Sequence, residues 1–348
     1  MSMRARILRT LFRISYSFRI PLLSDVFQKG RVKILMYHGI PIREHFKGVT
    51  NFNGYNIPER EFEEHLIYLK KRCHVISFSD MLAERNWSKT KTNIVLTFDD
   101  GYENNYSNAF RLLTRYELPA TFALATAFVC QREPLWNDIV EYAVTSSLKS
   151  RIRFQWDDDY YEWALTSLAR RVQLYQWLMQ KCLQVDQTRR GALLDTVVQE
   201  LGIPDMPGVL LQYEDYRPLT RKQIKEMVAS GLAEFASHSL HHYALPRLET
   251  KLRSHEFLES KSQVKALTGM PCTNFTVPGG AYDQEILDEA FQAGYECVLT
   301  SDLGLATRGR RVLNRNAVLR EPGLHRFTDT VHGPISELIQ AVIGFRTI

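Results

Sequence analysis

The sequence predicts an α/β fold in which strand-helix units wind toward a barrel that carries one insertion. Short apolar runs recur from residue 32, each is followed by a stretch of helical period, and the rhythm breaks once, between residues 131 and 217. Units of this kind lay parallel strands side by side and cover them with helices.

The predicted strands are, in order, Val32–Tyr37, Val75–Ser77, Asn93–Phe98, Ala120–Ala125, Glu234–Ser237, Asn274–Val277 and Cys297–Thr300. Between them, a helix over Pro58–Arg72 turns Phe62, Leu66 and Leu69 to one side, and a helix over Asn105–Tyr116 turns Ala109, Phe110 and Leu113 inward. Within the insertion, Arg151–Trp156 and Tyr160–Ala164 flank Asp157, Asp158 and Asp159 as a hairpin, and Leu168–Leu183 and Thr188–Leu201 read as amphipathic helices. Three acids at a hairpin tip make a solvated turn rather than a cation site. The insertion is expected to belong to one domain with the barrel, residues 32–348.

A chain of 348 residues, 45% hydrophobic and 24% charged, can bury a sizeable core. Its net charge of +5 is uneven: residues 1–33 hold eight Lys and Arg against Asp25, which makes +7 and leaves −2 for the rest. That asymmetry argues against a body built to hold nucleic acid, whose phosphates would need a basic face on the folded domain itself. Residues 1–31 read instead as a basic amphipathic arm. If residues 4–20 are helical, Ile7, Leu11, Ile14 and Phe18 share one face and Arg6, Arg9 and Arg13 another. That pattern suits a membrane-surface contact through residues 1–30, and equally a helix packed on the domain with its arginines in water. No run reaches 18 consecutive apolar residues, so a spanning helix is not expected. Arg9, Arg13 and Arg19 interrupt any secretory apolar core. The cysteines, Cys73, Cys130, Cys182, Cys272 and Cys297, are odd in number and scattered, as expected of reduced thiols in the cytoplasm.

Four strand ends carry chemistry-bearing residues. In Leu96-Thr97-Phe98-Asp99-Asp100-Gly101-Tyr102, successive side chains diverge at a strand end, so one carboxylate can hold a cation while the other addresses a substrate; the plain alternative is a helix cap. In Ser237-His238-Ser239-Leu240-His241-His242, a separation of four residues puts His238 and His242 on one face of a helical turn, a spacing used for two imidazoles on one metal. His241 is the alternative second ligand. The turn after Asn274–Val277 runs Pro278-Gly279-Gly280-Ala281-Tyr282, where small residues let backbone N–H groups approach an oxyanion, or simply turn the chain. The first strand ends in Tyr37-His38-Gly39, where His38 is either a satisfied core residue or a catalyst.

These four pieces, in this order over residues 32–320, resemble the polysaccharide deacetylase family, carbohydrate esterase family 4, whose catalytic unit is the NodB homology domain. The resemblance implies a distorted (β/α)7 barrel, here with a helical and hairpin insertion, that holds a divalent metal: zinc first, cobalt or nickel as alternatives. It makes Asp100 a metal ligand and Asp99 the general base, and it places the family's H-[ST]-x-x-H motif on His238, Ser239 and His242, with both histidines as ligands. Leu219-Thr220 through Leu232 is similar to the helix that precedes this motif. Where many relatives have an arginine that braces the base, this chain has Thr276. The general acid is His38 by likeness to a branch of the family with an early Tyr-His dipeptide, with His325 and His332 as fallbacks.

The resemblance therefore implies hydrolysis of N-acetyl groups on an amino-sugar glycan. Tyr102, Gly279, Gly280 and Tyr282 are the expected substrate and oxyanion contacts. The basic arm adds the expectation of work at the inner face of a bacterial membrane. The aromatic insertion residues Trp136, Trp156, Tyr160, Tyr161, Trp163, Tyr175 and Trp177 form either a sugar-stacking wall or ordinary packing. Two rival readings are a barrel that binds glycan without cleaving it and an amidase for a small non-sugar amide.

Overall fold

The computed structural model describes residues 30–332, apart from 204, 205, 308 and 322. Residues 1–29 of the predicted basic arm lie outside the described residues, as do residues 333–348 of the predicted barrel.

The chain runs β1 Val32–Tyr37, α1 Glu59–Arg72, β2 His74–Val75, α2 Phe78–Leu82 and β3 Asn93–Phe98. A π-helical segment Asn105–Phe110 continues into α3 Arg111–Tyr116, followed by β4 Ala120–Leu124 and α4 Thr126–Gln131. The insertion supplies α5 Trp136–Ser146, the hairpin β5 Arg151–Trp156 and β6 Asp159–Ala164, α6 Leu168–Gln184, α7 Gln187–Glu200 and α8 Met206–Leu210. Then come α9 Arg221–Ala229, β7 Ala233–Ser237, α10 Thr250–Thr268, β8 Asn274–Thr276, α11 Gln284–Gln292, β9 Cys297–Leu299, β10 Val312–Leu313, β11 Asn316–Ala317 and α12 His325–His332.

All seven predicted strands are present. Together with β10 and β11, which were not predicted, they form one parallel sheet in the order β10-β9-β8-β7-β4-β3-β1-β11, with β2 paired to β3. The outermost strands of that path, β10 and β11, are consecutive in the chain and joined only by Asn314 and Arg315, so the sheet curls and a two-residue link ties its edges. This is the distorted barrel expected of the sequence, with a seam at Arg315.

Strands β1, β3 and β4 are buried at every position, as in parallel sheets covered on both faces. Tyr37, Phe98 and Phe122 stack in sequence across them, with centroids 5.3 Å and then 5.0 Å apart. Register then fixes what the strand ends carry. β1 and β3 run in step from Val32↔Asn93 to Tyr37↔Phe98, and β4 and β7 from Ala120↔Ala233 to Leu124↔Ser237. His38, Asp99 and His238 each follow at once, on the C-terminal face where barrels of this kind place their chemistry.

The predicted helix Asn105–Tyr116 has a π-helical first half, and its asparagines grip the loop after β1. Asn104 Oδ1 accepts from Ile40 N at 2.9 Å, while Asn105 and Asn108 donate to the carbonyls of His38 and Ile40, both at 2.8 Å. The insertion has its own apolar cluster, reached from the barrel side by Val49 and Tyr243. Most of its aromatics are spent there. Trp136, Trp156 and Tyr175 are buried, Tyr161, Trp163 and Trp177 pack against them, and Tyr160 stays 67% exposed. At the hairpin tip Asp157 and Asp158 form the turn, with Asp157 paired to Arg189.

Candidate metal centre

After β3 the chain turns sharply: Asp100 and Gly101 both take left-handed backbone angles, φ 75° and 91°. A Cβ at Gly101 would meet Leu124 and Val129 side-chain carbons at 3.0 Å, so only glycine fits without displacement. The turn sends the two carboxylates to different partners. Asp99 points at Arg315, whose two terminal nitrogens donate to Oδ1 at 2.7 Å and Oδ2 at 2.8 Å. Asp100 faces the histidines.

The histidine loop differs from the helical turn that the spacing predicts. Ser239 and His242 are left-handed, φ 63° and 56°, and no helix forms between them. The loop is tied down instead: His242 N donates to Ser239 Oγ at 3.0 Å, and the amides of Leu240 and His241 both donate to Glu256 Oε2 at 2.9 Å. His241 follows Glu256, with its Nδ1 2.6 Å from Oε1, and so turns away toward α10.

Asp100, His238 and His242 are brought together, with ligand atoms all within 4.8 Å of one another. Both His238 Nε2 and His242 Nε2 lie 3.5 Å from Asp100 Oδ1, and that buried oxygen has no hydrogen-bond partner. Metal bonds of ~2.0–2.1 Å at tetrahedral angles separate donors by roughly 3.4 Å, so the cluster fits a divalent ion. Thr276 fixes the ring of His238: Nδ1 lies 3.0 Å from the Thr276 carbonyl and 2.5 Å from its Oγ1. A proton held on Nδ1 by that carbonyl leaves the Nε2 lone pair for the ion.

Electrostatics point the same way. Burial and the neighbouring Asp99 charge raise Asp100 to about 8, against the pull of Arg315 and Tyr102. A carboxylate so placed gains from a cation. Burial lowers both His238 and His242, which keeps their imidazoles neutral. For Asp99, burial favours the protonated form, but Arg315 and then His238 outweigh it and hold the group well below the usual carboxylate range.

His38 stands at the edge of this group, close enough for Asp99 and His238 to shift its titration. Burial lowers it to about 4, its ring packs on Tyr55 with centroids 4.6 Å apart, and its buried Nδ1 has no hydrogen-bond partner. The other predicted residues lie as follows. Tyr102 donates its hydroxyl to Asp138, at 3.0 and 3.1 Å. Gly279 and Gly280 form the turn after β8, both at positive φ, and the Tyr282 hydroxyl bonds Asp302 rather than the cluster. His325 opens α12, beside Gly323. His332 closes that helix with Nε2 3.7 Å from Cys73 Sγ, next to the start of β2 and thus at the other end of the barrel from Asp100.

Sequence reasoning missed Arg315. It also read Thr276 only as a departure from a motif, whereas Thr276 orients a histidine and the arginine comes from the seam. The available trace of Arg315 was another short apolar run, Val312-Leu313, with a basic residue two positions after it.

Fold and cluster together define a parallel α/β barrel with a candidate metal centre at its strand ends. Residues 87–298 match the family model described as Polysaccharide deacetylase, more than half of the chain, and the chain belongs to that family. It is 20% identical over 298 residues to the protein of Bacillus subtilis (strain 168) named "Putative polysaccharide deacetylase YxkH", covering 85% of this chain and 73% of that one. Among solved structures it is similar to Streptococcus pyogenes deacetylase PplD in complex with acetate, with a TM-score of 0.54, 19% identity and coverage of 86% and 98% of the two chains. It is also similar to IcaB from Ammonifex degensii, with a TM-score of 0.54, 17% identity and coverage of 88% and 98%. A third, the polysaccharide deacetylase BC0361 from Bacillus cereus, has a TM-score of 0.55 at 19% identity and coverage of 86% and 69%. At such identities the structural likeness speaks for the fold alone.

Proposed function

We propose that the protein is a metal-dependent deacetylase that hydrolyses N-acetyl groups on an amino-sugar glycan. The observation that carries this reading is the Asp100, His238 and His242 cluster with the Arg315-held Asp99 at its edge. Those three side chains would hold the ion, and their one oxygen and two imidazole nitrogens suit zinc, with cobalt or nickel as alternatives. A divalent ion there supplies Lewis acidity, which polarises an amide carbonyl and acidifies water.

The chain's own residues then divide the proton work. Asp99, kept ionised by Arg315, accepts the proton of the attacking water. A backbone N–H at Tyr102 or Gly279 donates to the oxygen that becomes negative. His38 protonates the departing nitrogen; burial disfavours its charged form, while the neighbouring Asp99 carboxylate favours it. The amide C–N bond breaks, acetate leaves, and the sugar keeps a free amine.

The test is metal analysis together with release of acetate and free amine from N-acetylated oligosaccharides. Asp99→Asn should keep its metal and lose turnover, whereas His238→Ala should lose both. Equal metal loss in the two variants, or a metal-loaded wild type that releases nothing from any acetylated sugar, would refute this division of roles. The rival reading of an idle, glycan-binding barrel drew on the missing arginine at position 276, and Arg315 at Asp99 removes that support. Product analysis on small amides addresses the remaining alternative.

A further inference from the structure

We infer that the first turn of α5, in the insertion, is a cross-brace that ties the outer ends of the two metal-ligand loops to each other; this rests on the metal-dependent reading above. The loops hang from β3 and β7, which are not neighbours, because β4 lies between them. The β4–α4 junction holds the loops near their roots, where the Ala125 amide donates to the Asp100 carbonyl at 3.1 Å and the amides of Thr126 and Ala127 to the carbonyls of Ser239 and Leu240 at 3.1 and 2.8 Å; Tyr102 and His242 lie just beyond those bonds.

Trp136 and Asp138, two residues apart at the start of α5, reach one loop each. The Trp136 indole N–H donates to the His242 carbonyl at 3.0 Å, and the Asp138 carboxylate accepts the Tyr102 hydroxyl at 3.0 and 3.1 Å. All three of Trp136, Asp138 and Tyr102 are 6–7% exposed, so water does not substitute for these bonds at little cost.

His242, like Asp100, has a backbone that needs holding. A left-handed backbone on a residue other than glycine persists where its surroundings over-determine it. Its amide is held by Ser239 and its carbonyl by Trp136. Arg190 of α7 presses from the same side, its guanidinium 4.1 Å from the ring centre of Tyr243, the next residue, and 5.6 Å from that of Trp136. The 3.5 Å span between Asp100 Oδ1 and His242 Nε2 is thus held from two sides, by the β4–α4 junction at the loop roots and by α5, a helix outside the repeating barrel units, farther out. If Trp136 and Asp138 served the insertion's packing alone, their loss would lower stability and leave the ligand geometry untouched.

The experiment uses the full chain loaded with cobalt(II). Trp136→Phe keeps the ring and removes the donor; Asp138→Leu removes the acceptor, and Asp138→Asn retains one. Leu174→Ala, in the insertion's core, is the control for stability alone. We expect the first two to weaken cobalt binding ten- to a hundredfold, as loss of an outer partner of a ligand commonly does, and to shift the visible cobalt band. Asp138→Asn should recover most of both, and Leu174→Ala should lower the melting temperature with affinity and band unchanged. Folded Trp136→Phe and Asp138→Leu proteins with wild-type affinity and spectrum would overturn the brace while leaving the deacetylase reading intact, and so would a Leu174→Ala protein that shifts both as much. A wild type that takes up no divalent ion overturns the metal reading and the brace with it.

Discussion

Arg315 grips Asp99 through two parallel hydrogen bonds of 2.7 and 2.8 Å, from the two-residue link that ties the edges of the barrel sheet. Both side chains are almost fully buried, and the guanidinium is itself anchored by its Nε–H to the Thr300 carbonyl at 3.0 Å. A lysine cannot reproduce that fork. Arg315→Lys should therefore retain metal yet lose about 10–100-fold in kcat, a loss of roughly 1.4–2.7 kcal/mol in transition-state stabilisation. Because the arginine holds the Asp99 pKa down, its loss raises that pKa, and the acidic limb of the rate profile should move to higher pH. An unchanged limb with unchanged kcat would show that the brace is unrelated to the base.

The same geometry separates two of the three candidate acids. His38 follows β1 at the face that carries Asp99, whereas His332 packs beside Cys73 at the opposite end. His38→Gln should lower deacetylation at least a hundredfold with metal content unchanged, and His332→Gln should leave kcat within about twofold, since general acid–base groups contribute typically 10²–10⁴. Full activity in His38→Gln would return the role to His325.

The fold was legible in the sequence wherever a strand was long and apolar. The three barrel strands buried at every position and at least five residues long, β1, β3 and β4, were each placed to within a residue, because an unbroken buried run bounded by polar residues has few other uses. Strands β10 and β11 went unseen, since two residues carry no period. Asp100 and His238 could be named because they lie within two residues of a strand end, where register brings strand ends together, and His242 because it stands four residues beyond His238. Arg315 could not be named, for its contact with Asp99 spans 216 residues and depends on how the sheet closes. The helical turn predicted for His238 to His242 failed for a local reason: Ser239 bonds the His242 amide and holds a loop in place of a turn.

The basic arm makes a prediction that is independent of the site. Residues 1–33 carry +7, and no helix among the described residues is long and apolar enough to cross a membrane. If the arm meets an anionic bilayer, the full chain should float with vesicles containing phosphatidylglycerol, and do so less as salt rises. A chain lacking residues 1–30 should stay with the soluble fraction. Equal partitioning of the two would show that the arm does not carry a bilayer contact.

Glu141, on the third turn-face neighbour of Asp138 in α5, gives stability its own pH dependence. It accepts hydrogen bonds from Asn51 N at 2.8 Å and the Tyr216 hydroxyl at 2.9 Å, but burial outweighs them and raises it to about 7. A carboxyl whose pKa is higher in the fold than in the unfolded chain, where it is near 4.5, favours the fold most below the lower value and loses that contribution as pH rises through the higher one. The change is roughly 3 kcal/mol at about 1.4 kcal/mol per pKa unit. Glu141→Gln cannot ionise, so unfolding by urea at pH 5 and pH 8 should show the wild type losing stability relative to the variant across that interval. A constant difference between the two would mean that Glu141 titrates alike in both states and that Asn51 and Tyr216 solvate its charge in full.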